Sequence, residues 1–198
     1  DRKPKSNFGL VKDKTKWIWN AKGDRPMETL YFSKEFQCDE IPRQAAVYFS
    51  CDDQVEFFLN GQSIGSTDLW SKPVSREFKG SFRKGTNYLT AKAINNGGPA
   101  GLLAQLSMKT ADGKIHRIWT DATWKLASDL NASEKQTWKV QDLPRSEKVV
   151  VVGNYGSRPW GELNLPSQNS KPQPNPITQL RQRMPSPNHT LVMLERPK

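Results

Sequence analysis

Apolar and polar residues alternate along most of this chain. Val55, Phe57 and Leu59 alternate with Glu56, Phe58 and Asn60, the period-two pattern of a half-buried strand. Asn60-Gly61 then supplies residues that tolerate positive φ, as a tight hairpin requires, and Ile64 and Gly65 start the return strand. Trp17-Ile18-Trp19 predicts an earlier strand with both indoles on one face. Over 29–37, Leu30, Phe32 and Lys34 face one way and Tyr31, Ser33 and Glu35 the other, with Phe36 returning to the apolar side. Further strands are predicted at 45–50, 74–78 and 88–94, the last after a turn at Lys84-Gly85. Residues 102–108 and 115–119 pair through the turn Ala111-Asp112-Gly113. The β-branched run at 149–152 reads as a buried last or second-last strand. Turns recur at the spacing of a sandwich, and no helix-period segment of useful length precedes residue 166.

The tail from Pro166 breaks this pattern. It holds half of the fourteen prolines, and Pro172, Pro174 and Pro176 alternate in a way that favours extended chain. It reads as a linker, with a short helical turn at 177–184 and a small apolar run at 191–194. Charge marks the same boundaries. Of the net +10, residues 1–16 carry +4, residues 166–198 another +4, and residues 17–165 only +2. The chain therefore divides into a basic N-terminal arm (1–16), a sandwich (17–165) and a Pro-rich basic tail (166–198). The arms are either polyanion-binding segments or solvated linkers of a larger protein. With 198 residues the chain can bury one full core, and no run approaches the roughly 18 apolar residues of a membrane span. No signal peptide opens the chain at Asp1, so it reads as a mature product or an excised piece. Cys38 and Cys51 are too few for a disulfide framework or a metal site, and two free buried thiols are favoured over a bridge.

Catalytic chemistry finds little to use. His116 sits in a strand pattern and His189 in the tail, neither with a nucleophile motif around it. No Cys-x-x-Cys, His-Glu-x-x-His or phosphate-binding loop is present. The reading is that of a non-enzyme. Ligand chemistry finds more. Asp52 and Asp53 stand at a strand entrance, where adjacent carboxylates can hold calcium or simply order a turn. Asn95-Asn96-Gly97-Gly98 offers amide donors and acceptors beside flexible glycines, suited to sugar hydroxyls or to an ordinary turn. Trp70, Tyr155 and Trp160 lie in loop-like segments and are the aromatic candidates for stacking on a sugar ring, against the alternative that they are core. Arg158, beside Trp160, would suit an acidic or sulfated sugar. Trp17, Trp19, Trp119 and Trp124 lie in strand patterns and are expected in the core.

Three segments carry a resemblance: "DDQVEFFLNGQSIGSTDLW", "KGTNYLTAKAINNGGPAGLLAQL" and "TDATWK". They are similar to the galactose-binding-like jelly rolls appended to bacterial rhamnosidases and other polysaccharide-active proteins. The resemblance runs from about Trp17 to Leu165. It implies an all-β jelly-roll sandwich and an accessory, non-catalytic role in a larger extracellular or periplasmic protein. In the rhamnose-binding relatives, an Asp/Asn-rich loop after the equivalent strand holds calcium and the sugar together. Asn95 and Asn96 match that loop in position, although it reads Asn-Asn-Gly-Gly here and has no acidic ligand. Trp124 matches a recurrent packing position, with Asp121 as a structural acceptor. The partner implied is a polysaccharide or oligosaccharide. A ligand-free spacer domain is the alternative, and a sulfated-glycan binder working through the basic arms is a third. The balanced charge of 17–165 argues against nucleic acid.

Overall fold

The computed structural model describes residues 8–164. The tail with its predicted linker, its helical turn, its apolar run and His189 lies outside the described residues, as do the first seven residues of the arm. Eleven strands form two antiparallel sheets. In chain order they are β1 (Lys16–Asn20), β2 (Glu28–Cys38), β3 (Gln44–Asp52), β4 (Gln54–Leu59), β5 (Gln62–Thr67) and β6 (Val74–Phe78). Then follow β7 (Gly85–Asn95), β8 (Gly101–Lys109), β9 (Ile115–Trp119), β10 (Lys125–Ala127) and β11 (Val149–Asn154). One sheet runs β11-β1-β8-β3-β6 with β9 also paired to β8, and the other runs β10-β2-β7-β4-β5. The architecture is an all-β sandwich, as the alternation predicts, in the jelly-roll form that the resemblance implies.

Leu30, Phe32, Val47, Phe49, Val55, Phe57, Leu89, Leu102 and Leu106 line the inner faces and interlock as one buried core. The hairpin at Asn60-Gly61 takes φ of 48° and 87°, the positive values that its turn chemistry requires. Cys38 and Cys51 are free and buried. Trp124 is core, and Asp121 accepts the Thr123 amide at 2.8 Å. Trp119 is half-buried at the end of β9.

Several expectations are corrected. The run 149–152 forms the last strand but lies at a sheet edge, so Val151 and Val152 stay 46% and 38% exposed and only Val149 reaches the core. Trp17 and Trp19 do not share a face. The β1–β11 register shifts between Trp17 and Ile18, so that Trp19 packs on Phe32 in the inter-sheet core while Trp17 joins a cluster on the outer face. Within the arm, Phe8 and Thr15 are buried, and the segment is pinned across the outer face of the first sheet by Gln105. That side chain accepts the Val11 amide at 2.8 Å and donates to the Gly9 carbonyl at 3.1 Å. Two elements have no counterpart in the sequence reading. β10 is only three residues long, and α1 (Ala132–Thr137) is a short helix with a capping box between Asn131 and Glu134. Trp138, in the 3₁₀ turn that follows, is buried against Tyr31 and Phe58 and seats this segment on the outer face of the second sheet.

Candidate carbohydrate-binding site

Strand register fixes which loops share a pole. Asp52 at the end of β3 pairs with Gly101 at the start of β8, and Phe49 pairs with Val74 at the start of β6. Gln54 pairs with Ile94, and Glu28 with Asn95. The turn Asp52-Asp53, the loop 68–73 with Trp70, the loop 96–100 and the loop 21–27 therefore crowd one end of the sandwich. Five of the eight sequence-predicted site residues, Asp52, Asp53, Trp70, Asn95 and Asn96, meet there although 44 positions separate the outermost pair.

The side chains at this pole play different parts. Tyr48, Ser50 and Asp52 alternate on the outer face of β3. Ser50 donates to the Trp70 carbonyl at 2.6 Å and so anchors the aromatic loop. Trp70 is half-buried against a cluster of Trp17, Tyr48, Leu103, Trp160 and Leu163, which leaves part of its ring at the surface. Trp160, expected as an exposed ring, is only 4% exposed: it stacks on Trp17 with centroids 4.2 Å apart and donates its indole N–H to Asp52 Oδ2 at 2.9 Å. Burial pushes the Asp52 carboxyl up to about 6, opposed by the Trp160 hydrogen bond and reinforced by the neighbouring Asp53. Asp53 Oδ2 accepts the Asn96 amide at 2.7 Å and ties the β3–β4 turn to the β7–β8 loop. Asn95 is fully buried and structural, since its Nδ2 donates to the Arg25 carbonyl and its Oδ1 accepts the Gly97 amide, both at 3.0 Å. Asn96 is exposed, and Gly97 and Gly98 take φ of 153° and 81°, which turn the loop outward.

The remaining two candidates come from the C-terminal loop that also carries Trp160. Tyr155 packs against the outer-face cluster, and its hydroxyl both donates to the carbonyl and accepts from the amide of Leu163 at 3.2 Å. Arg158 is exposed in the same C-terminal loop. The sequence reading missed the loop 21–27, where Asp24 is close enough to raise the Asp52 carboxyl further and Arg25 receives Asn95. Gly23-Asp24 is a visible turn signal, but only the pairing of Glu28 with Asn95 brings it to the site. As calcium ligands, Asp52 and Asp53 supply hard oxygens on adjoining residues and each keeps an oxygen outside the bonds just described. Among the described residues no group of three or more His, Cys, Asp or Glu side chains converges, so protein carboxylates alone do not form a cage.

No protein-family model matches the sequence, and no curated protein does. Solved structures do. A Streptomyces avermitilis α-L-rhamnosidase complexed with L-rhamnose superposes with a TM-score of 0.69 at 25% identity, over 78% of this chain and 16% of that one. A Pleurotus ostreatus lectin in complex with GalNAc gives 0.67 at 27%, over 77% of this chain and 45% of that one. This chain folds as a galactose-binding-like jelly roll, similar to a domain of rhamnosidases. A GH78 rhamnosidase of Bacillus sp. GL1 shares the fold at 19% identity, with a TM-score of 0.60 over 76% of this chain and 19% of that one. The chain thus spans a small fraction of the rhamnosidases and less than half of the lectin. Among the described residues no helix is long and apolar enough to cross a membrane.

Proposed function

We propose that this jelly roll is a non-catalytic carbohydrate-binding domain that holds a larger extracellular or periplasmic protein on a polysaccharide. The observation that carries the reading is the convergence of Trp70, Asn96, Asp52 and Asp53 at one pole, in a fold shared with a lectin and with part of a rhamnosidase. The exposed part of the Trp70 ring would offer a face for a sugar's C–H groups, and the exposed Asn96 side-chain amide would offer donors and acceptors for its hydroxyls. Calcium, if bound, would be held by Asp52 and Asp53 and would supply a hard cation for vicinal hydroxyls. Attachment then acts by effective concentration, with no chemistry of its own.

The spacer reading draws on a different fact. Trp160, Tyr155 and Asn95 are taken up by internal contacts, which leaves Trp70 and Asn96 as the exposed recognition groups of this pole. Binding to immobilised glycans that include L-rhamnose and GalNAc separates the two, measured with calcium and with chelator at low and high salt. A sugar module binds with little salt dependence and loses binding in Trp70→Ala and Asn96→Ala. A spacer binds none of the glycans. Binding confined to sulfated chains, unaffected by both variants, lost at high salt and lost when the Lys and Arg residues of the arms are neutralised, would move the function to the basic arms.

A further inference from the structure

The pole opposite Trp70 carries a surface recess. It lies where β3 begins and β8 ends, with a volume of about 440 Å³, inside the roughly 300–1,000 Å³ range of small-ligand sites. Arg43, Gln44, Lys109 and the turn from Thr110 to Gly113 line it. No aromatic side chain is among them, so recognition by ring stacking is not available, and charge is. The turn forming one wall is braced internally. Thr110 Oγ1 donates to Asp112 Oδ1 at 2.6 Å, Lys114 Nζ sits 2.7 Å from Asp112 Oδ2, and Glu40 Oε1 accepts the Ala111 amide at 2.6 Å. Asp112 and Glu40 are thereby committed to holding its wall, while Asp39 lies beside Glu40 in the β2–β3 loop. The two cations that line it are not committed: Arg43 and Lys109 join only through the Arg43 amide and the Lys109 carbonyl at 2.8 Å, and among the described residues neither has an ion-pair partner.

The surroundings extend this positive potential. The β6–β7 loop starts beside the recess, because Phe78 pairs with Ala45, and it adds Lys79, Arg83 and Lys84 without an acidic residue. The opposite pole is near charge balance, with Asp24, Asp52, Asp53 and Asp68 in its loops set against Lys22, Arg25 and Lys72. We propose that the Arg43–Lys109 recess is a second ligand site, one that takes a carboxylate- or sulfate-bearing sugar unit of an acidic polysaccharide. The guanidinium fork suits a planar or tetrahedral oxyanion, the ammonium supplies a second charge, and the Gln44 amide offers a donor and an acceptor to a flanking hydroxyl. The site is independent of the Trp70 pole and of the basic tail.

The test uses the full chain and three immobilised polymers: polygalacturonate for carboxylate, dextran sulfate for sulfate ester, and dextran as the neutral control. Arg43→Gln/Lys109→Gln is expected to weaken binding to at least one anionic polymer tenfold or more at low salt, and to lower the log–log salt slope by roughly one to two. Gln44→Lys, which adds charge to the same recess, should tighten binding about threefold, a direction that misfolding cannot produce. The tail variant Arg181→Gln/Arg183→Gln should change it less than twofold. Loss confined to polygalacturonate or to dextran sulfate identifies the oxyanion. The proposal is overturned if neither anionic polymer binds, if the recess double variant binds within twofold of wild type, or if the tail variant accounts for the loss.

Discussion

Asp52 carries an ionisable group where the fold disfavours its charge. The residue is 8% exposed, bonded to the Trp160 indole and beside Asp53, and burial raises its carboxyl from 3.8 to about 6. The folded state therefore holds a proton over a pH range in which the unfolded chain has released it. Stability is highest below about pH 4 with respect to this group and falls as pH rises through about 6, by about 3 kcal/mol in all. Asp52→Asn, which keeps an acceptor for the indole N–H, should flatten that slope in urea unfolding between pH 4 and 7. A slope unchanged in the variant would assign the dependence to another group. The two candidate tryptophans separate at the same scale. Trp160→Ala removes a buried ring stacked on Trp17 together with its hydrogen bond, and should cost about 3–5 kcal/mol in unfolding. Trp70→Ala truncates a half-buried ring and should cost under about 2 kcal/mol while abolishing sugar binding. Equal stability losses would mean that Trp70 is as much a core residue as Trp160.

Among the elements, β8 couples core and site most directly. Its first residue, Gly101, faces the Trp17–Trp160 stack so closely that a Cβ would lie 2.7 Å from the Trp160 ring and 2.9 Å from Trp17. Gly101→Ala should displace Trp160 from Asp52 and destabilise by about 1–3 kcal/mol, seen both in urea unfolding and as a shift of the Trp160 indole N–H resonance. A variant of wild-type stability with that resonance in place would show that the outer cluster yields without strain. The strands themselves were legible because each half-buried one carries its own alternation: 55–60, 74–78 and 115–119 are read almost to the residue. Where burial departs from alternation, reading failed. The valines of β11 look like an interior strand, yet its position at the sheet edge exposes two of them. Trp17 and Trp19 diverge because a register irregularity between strands has no local signature. α1 is too short for periodicity, although its capping pair, Asn131 and Glu134, stands in the sequence. Within the site, Asp52, Asp53 and Asn96 were legible as turn chemistry. That Asp52 would be claimed by Trp160, 108 positions away, required the tertiary path of the C-terminal loop over the first sheet.

For the whole molecule, the arrangement that matters is polar. β7, eleven residues long, runs from one end of the sandwich to the other, so the Trp70 pole and the Arg43–Lys109 recess lie roughly 30 Å apart. Between them stands a close-packed core with no shared loop, and sites so separated are expected to contribute independently. A ligand present at about 100 times its dissociation constant stabilises a folded protein by about 2.7 kcal/mol, which for a domain of this size raises Tm by about 5–10 °C. A neutral sugar at the first pole and an acidic oligosaccharide at the second should therefore give thermal shifts that add when both are present. The shifts should also differ in their response to salt: the first persists in 0.5 M NaCl, whereas the second, resting on ion pairing at an exposed surface, collapses there. Trp70→Ala should remove only the first shift and Arg43→Gln/Lys109→Gln only the second. Shifts that fail to add, with either variant erasing both, would place the two ligands in one site and reduce the pair of poles to a single binding surface. Additive shifts would instead make the domain a two-ended clamp, able to grip neutral and charged stretches of one polysaccharide or to bridge two chains.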